Sequence, residues 1–246
     1  MRRGDWGSPL RRIAGAREFG EAFAASPEAV ARFCRYAELI AQWQRAGNLV
    51  AARTLGEVWH RHFADCAQLL PLVGRARTLV DLGSGAGFPG LVLAILLADG
   101  AADRAVATAP ATCRITLVES NRRKCAFLAE VVRAVRLPPR IAVDILSTRI
   151  EAAATQATLR GAEVIAARAL APLPKLLAWA APLFTSATVG VFPKGRDAAA
   201  ELEVARQMWT FSAELLPSRT EGDAHIVLIR HPEAKRANQL RHRTRG

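Results

Sequence analysis

Apolar residues recur every three or four positions along Ser26 to Leu49 (SPEAVARFCRYAELIAQWQRAGNL), the period of an amphipathic helix. Ser26 is placed to cap that helix, and Pro27 suits its first turn, where a missing N–H is no loss. A second helical pattern runs from Leu55 to Leu70 and ends near Pro71. No strand-like run precedes residue 77, so residues 26–75 predict a small helical cap subdomain. After that the rhythm changes. Short β-branched runs occur at 78–82, 114–118, 140–145, 163–167, 187–192 and 225–229. Helical patterns fill most of the gaps, over 90–98, 121–136, 171–184 and 197–209. Strand alternating with helix implies an α/β domain over 76–230, with a doubly wound, mostly parallel sheet. Residues 99–113 break the alternation as a long, Ala-rich loop.

In such a sheet a ligand sits outside the carboxyl ends of the strands, near the first strand. That place reads LVDLGSGAGFPGLVLAI from Leu79, and it fits two registers. Gly85-Ala86-Gly87-Phe88-Pro89-Gly90 is a G-x-G-x-x-G, the fingerprint of a dinucleotide site. Asp81-x-Gly83-x-Gly85-x-Gly87 is instead the pattern of an S-adenosylmethionine (SAM) site. A pyrophosphate needs free N–H groups at the following helix N-terminus. Pro89 removes one of them, and the carboxylate of Asp81 repels an anion while it could draw in the cationic methionine end of SAM. Glu119 ends the second strand, where an acid can accept both ribose hydroxyls. Both ligand classes use such an acid, so Glu119 does not discriminate. The residues favour SAM.

Charge adds a partner to this picture. The net charge is +12, which points to a polyanion, nucleic acid first. Two thirds of it sits at the ends. Residues 1–17 carry five arginines against one aspartate, and residues 231–246 five Lys/Arg against one glutamate. These stretches read as a flexible basic extension (1–25) and a basic tail (231–246), able to bind RNA through counterion release. No apolar run reaches the roughly 20 residues of a membrane span. Cys34, Cys66, Cys113 and Cys125 form no C-x-x-C pair and read as reduced thiols of a cytoplasmic protein, expected to be a monomer. His62 and Asp65, three apart on one helix face, lack a second pair at ligand spacing, so no metal is expected.

Eight elements in order carry a family resemblance. They are Gln42-Trp43-Gln44-Arg45-Ala46-Gly47-Asn48-Leu49, Arg61-His62-Phe63-Ala64-Asp65, the glycine loop, Thr116-Leu117-Val118-Glu119-Ser120, Arg149-Ile150-Glu151, Ala167-Arg168-Ala169 and Lys194-Gly195, with His225-Ile226-Val227 closing the set. Between Trp43 and Ile229 the chain resembles the bacterial glucose-inhibited-division-B type methyltransferases, which modify the N7 of a guanine in 16S ribosomal RNA. The basic ends, the 99–113 insertion and Ala167, where the family usually has serine, depart from its pattern.

The resemblance implies a SAM-dependent methyltransferase fold and a substrate of 16S rRNA in the small subunit or an assembly intermediate. It implies cofactor contacts from Gly83 and Phe88, and places Ile150 and Glu151 at the adenine. It implies catalytic roles for Arg168 and Arg149. Read from residues alone, Arg168 lies in an apolar stretch and must find an acid or a ligand. Arg149 and Glu151 are exposed charges on a short helix. Arg122 and Arg123 begin a basic helix face, which is either solvated or an RNA phosphate track, and Lys194 ends the fifth strand, where it is a turn residue or faces the RNA backbone. No cysteine lies beyond Cys125 to act as a nucleophile near the fourth strand, and Ala-Arg-Ala-Leu replaces the acid- or amide-Pro-Pro-aromatic pattern of exocyclic-amine methylation. The alternatives are an RNA-binding protein that has lost catalysis and, third, a nicotinamide oxidoreductase.

Overall fold

The computed structural model describes residues 7–45, 49–73, 75–100 and 112–235. Seven strands form one sheet: β1 (Thr78–Leu82), β2 (Cys113–Glu119), β3 (Ile141–Ser147), β4 (Val164–Ala166), β5 (Val189–Lys194), β6 (Trp209–Pro217) and β7 (His225–Ala234). Their order is β3-β2-β1-β4-β5-β7-β6; the first five run parallel, β7 is antiparallel to β5, and β6 to β7. The chain winds outward from β1 through β2 and β3, then returns to place β4 on the other side of β1. The switch point therefore lies at the carboxyl ends of β1 and β4, where side chains from both halves can converge on a ligand.

Helices cover the sheet: α1 (Ala16–Phe23), α2 (Pro27–Gln44), α3 (Gly90–Ala98), α4 (Arg122–Val135), α5 (Ala153–Leu159), α6 (Leu173–Ala180) and α7 (Ala198–Met208). The Ser26 side chain accepts from the Ala29 N–H at 3.1 Å, so α2 begins where its cap predicts. Every residue of α3 is buried, as its uniformly apolar sequence requires. It lies beneath the N-terminal helices, whose Phe19, Phe33, Tyr36 and Phe63 have no exposed surface and share one core with α3 and with Phe127 of α4. Phe63 packs on Phe33 and Tyr36 at 5.1 and 5.2 Å between ring centroids. Truncating one such ring to alanine costs about 3–5 kcal/mol, so these helices are tied firmly to the sheet. Within the stretch expected to be a flexible extension, α1 is a helix and Ile13 is buried.

Several elements differ from the sequence pattern. The helix expected over 55–70 is broken into a 3-10 turn (Ala52–Glu57), a wide π turn (Val58–Ala64), and short α segments at Asp65–Ala67 and Leu70–Val73. Pro71 sits in the first turn of the last one, where its missing N–H is tolerated. The helix ending at Met208 gives way at once to β6, an edge strand; its alternation is blurred by the irregular pairing at Thr210–Ser212. Arg149 and Glu151 occupy a turn between β3 and α5 rather than a helix. Of the 99–113 stretch, residues 101–111 lie outside the described residues, as does the tail beyond 235.

Candidate active site

The glycine loop after β1 spends its amides internally. Gly83 and Ser84 donate to Val118 O at 2.9 and 3.1 Å, and Gly87 and Phe88 to Ser84 O at 2.7 and 3.0 Å. Gly85 N–H donates to Glu119 Oε2 at 3.0 Å, and Gly90 N–H, at the start of α3, to Asp81 Oδ2 at 3.0 Å. A pyrophosphate needs those donors, and two carboxylates already hold the last two. The dinucleotide register is thus closed by the loop's own hydrogen bonds. Asp81 has no exposed surface, and burial pushes its carboxyl up to about 7. A Cβ at Gly90 would come within 2.8 Å of Asp81 Oδ2 and 2.4 Å of Leu117 Cδ2, so only glycine lets α3 start this close to the sheet.

Above the loop is a cavity of about 480 Å³, within the range of small-ligand sites. Gly83, Gly85, Glu119, Arg149, Ile150 and Glu151 line it, brought together from the ends of β1, β2 and β3. Glu119 is held from behind, since its Oε1 also accepts the Asn121 N–H at 2.8 Å. Each of its oxygens retains lone pairs for a diol. Buried Ile150 supplies an apolar wall, and Trp179 of α6, unforeseen in the sequence, supplies an aromatic one. A carboxylate for ribose hydroxyls, an apolar face for a base and no phosphate cradle fit SAM.

A cleft of about 530 Å³ adjoins that cavity, and Ala169 and Leu170 line both. Ala169 has φ +53°, a left-handed conformation that costs about 1–2 kcal/mol outside glycine. This turn after β4 leaves Leu170 lying over Gly83, where a Cβ would meet Leu170 Cδ1 at 2.4 Å, and Arg168 lining the cleft. Arg168 donates to Asp65 Oδ2 at 3.0 Å, to Arg61 O at 2.9 Å and to His62 Nδ1 at 2.6 Å. Both members of the Arg168–Asp65 pair are largely buried, so removal of either strands a charge. Asp65 Oδ1 accepts from Thr220 Oγ1 at 2.7 Å and Gln68 Nε2 at 2.9 Å.

Because a guanidinium only donates, His62 Nδ1 must accept. Its proton is then on Nε2 and donates to Thr54 Oγ1 at 2.9 Å, whose own proton goes to Ala51 O. Burial, and then the charge of Arg168, lower His62 to about 4, so it is neutral at physiological pH. Phe88 stacks on His62 at 4.9 Å and 8° and lies 4.9 Å beneath the Arg168 guanidinium. Phe88 also packs on Phe63 and on Tyr36, whose hydroxyl donates to Ala86 O. The N-terminal helices, the glycine loop and the arginine are thereby one packed unit.

The structure gathers some of the expected site residues and separates others. Gly83, Gly85, Glu119, Arg149, Ile150 and Glu151 share the cavity above the loop, while Asp81, Gly87 and Phe88 lie in the packing beneath and beside it. Arg168 and Lys194 share the cleft. Lys194 Nζ is turned inward, donating to Glu201 Oε2 at 2.8 Å and Ala171 O at 2.6 Å. Arg122 and Arg123 are exposed on the first turn of α4, with no acid partner among the described residues. The helix dipole disfavours cations there. Tyr36, Gln68 and Thr220 carry no sequence signal of a role; each gains one only through contacts made across the fold.

The sequence model of the family described as rRNA small subunit methyltransferase G (GidB) matches residues 29–227. The chain is 49% identical over 204 residues to "Ribosomal RNA small subunit methyltransferase G" of Methylobacterium sp. strain 4-46, covering 83% of this chain and 89% of that protein. Against the protein of the same name from Paramagnetospirillum magneticum it is 42% identical over 213 residues, 86% of this chain and 93% of that one. A solved methyltransferase from Geobacter sulfurreducens shares the fold, with a TM-score of 0.51 at 11% identity over 91% of this chain and 99% of that one. On the extent of the family match and of these identities, the chain belongs to the rRNA small subunit methyltransferase G family.

Proposed function

We propose that this protein transfers a methyl group from SAM to the N7 of a guanine in 16S rRNA, acting as a cytoplasmic monomer on the small subunit or an assembly intermediate. Membership of a methyltransferase family makes SAM the methyl donor. The observation that carries the substrate reading is the shared Ala169–Leu170 wall, with the cavity of Glu119 and Ile150 on one side and an arginine-lined cleft on the other.

The chemistry of the cleft supports N7. Its lone pair lies outside the aromatic sextet and attacks a methyl sulfonium without prior deprotonation, so no general base is required. In the cleft Asp65 is committed to Arg168, Glu201 to Lys194 and Glu221 to Arg61, and of the basic groups His225 has a buried Nδ1 without a hydrogen-bond partner among the described residues. No cysteine is among the residues lining either cavity, and burial drives the Cys66 thiol far above its ordinary value. What remains for the protein is alignment of N7, methyl carbon and sulfur, a task of proximity and orientation. Arg168 uses three donors on Arg61, Asp65 and His62, and a guanidinium has five. The remaining two suit guanine O6 or a neighbouring phosphate, while N7, being the nucleophile, cannot accept a bond from Arg168 as it attacks. Arg149, exposed at the cavity of Glu119 and Ile150, is a further cation on that wall beside Lys124 and Lys175.

The test is transfer of labelled methyl from SAM to small subunits lacking the modification, followed by mapping. Label at one guanine, with strand scission there after borohydride and aniline, is the expected result. SAM binding without transfer to subunits or free rRNA would overturn the reading and favour an RNA-binding protein that has lost catalysis.

A further inference from the structure

The basic N-terminal segment is not a free tail. Leu10 N–H donates to Arg219 O at 2.7 Å, and Arg219 Nε donates to Ser8 O at 3.0 Å, so Ser8–Leu10 runs along the turn between β6 and β7. Ile13 N–H donates to His60 Nδ1 at 3.2 Å. That leaves the His60 proton on Nε2, which donates to Thr220 O at 3.0 Å. His60 thus clamps the segment to the turn, and His60 and Thr220 are both residues of the cleft wall. Ile13, 4% exposed, anchors the end of the segment in the core.

The clamp fixes where the charge goes. Arg11 and Arg12 lie between the two anchors and are exposed; Arg12 pairs with half-buried Glu57 at 2.6 Å, and Arg11 has no acid partner among the described residues. Arg219 likewise has none, nor does exposed Arg196, next to Gly195 of the cleft wall. The interior differs, because its cations are matched by Asp65 and Glu201. Within the cleft, unmatched arginines therefore lie at the rim rather than in the interior. From this juxtaposition we propose that Gly7–Ile13, docked on the β6–β7 turn, forms one rim of the substrate cleft and binds RNA phosphates flanking the target guanine. The proposal rests on the RNA methyltransferase reading for the identity of the polyanion and adds a contact surface to it.

The test uses the full chain with Arg11→Gln and Arg12→Gln combined. Its control is Arg75→Gln with Arg77→Gln, two exposed arginines just before β1, at the opposite end of the strands from the cleft. Unmodified small subunits are titrated at several salt concentrations, by direct binding and by methyl transfer. The rim variant should raise KM for subunits about tenfold at 0.1 M salt and lower the slope of log affinity against log salt by up to about two. Its kcat and SAM affinity should match wild type, and the control should behave as wild type. Unchanged subunit affinity and slope in the rim variant would overturn the proposal, as would an equal loss in the control, which makes net charge the sole cause. If wild type binds subunits but transfers no methyl, the functional reading fails, and the binding slopes alone still decide the rim.

Discussion

Glu119 meets Gly85 across 34 residues of chain, between adjacent strands; Asp65 meets Arg168 across 103 and Thr220 across 155. The cavity above the glycine loop is made largely from strand ends and backbone, each close in sequence to the element that positions it. The cleft beside it is assembled from side chains that only the finished fold brings together, and its charges hold one another. The first design tolerates loss of a side chain structurally and loses ligand. The second has its stability and its chemistry in the same contacts.

Four experiments separate the two. Arg168→Met should have the largest effect, because it strands Asp65 and His62 in a buried setting. We expect about 3–5 kcal/mol lost in urea denaturation, together with loss of methyl transfer. A stability loss below about 1 kcal/mol would show that the cleft network does not hold the N-terminal helices to β4. Glu119→Gln should invert that pattern. Weaker hydrogen bonds to the ribose should reduce SAM affinity about 10- to 100-fold by calorimetry, some 1.5–3 kcal/mol, with a smaller change in folding stability.

Within the loop, Gly87→Ala should destabilise by about 2–3 kcal/mol, since its Cβ would fall 2.4 Å from Tyr36 Oη at φ +92°. Gly85→Ala, at φ +58° with no atom nearer than 3.8 Å, should cost only about 1 kcal/mol of backbone strain. Equal losses at the two positions would mean that Tyr36 is not wedged against the loop.

The smallest effect in the wild type is the pH dependence of stability, because two groups oppose each other. His62 stands at about 4 in the fold against an ordinary 6.5, through burial and Arg168. Its contribution is present above 6.5 and is lost as pH falls towards 4. Asp81 stands at about 7 against 3.8, chiefly through burial, so its contribution is present below 3.8 and is lost as pH rises through 7. Between 4 and 6.5 the slopes have opposite sign. His62→Gln should expose the Asp81 slope, with stability falling as pH rises through that window, and Asp81→Asn should expose the reverse. Two variants sloping in the same direction would refute the pairing.

The same contrast explains what could be read in advance. β1 and α3 fall on their predicted residues, and β2, β3 and α4 within one or two, because apolar period and punctuation are local. The SAM register was legible from Asp81, whose carboxyl takes up the Gly90 N–H that a pyrophosphate would use, and from Pro89, which has no N–H to give. β6 was hidden by a bulge and a polar edge, and the π turn at Val58–Ala64 by an ordinary helical period. Arg168 announced itself as a charge in an apolar run, but its partners did not, since nothing in local sequence ties Asp65, His62 or Thr220 to it. Lys194 read as a turn residue or a lysine facing the RNA backbone, and Glu201, seven residues on, draws it inward.

The most direct test of the account is a crystal structure with S-adenosylhomocysteine and 7-methylguanosine monophosphate bound together. The account predicts the nucleoside in the Glu119–Ile150 cavity, the sulfur directed at the Ala169–Leu170 wall, and the methylated base across that wall beside Arg168. A base seated elsewhere, with the cleft empty and Arg168 facing only Asp65 and His62, would contradict it.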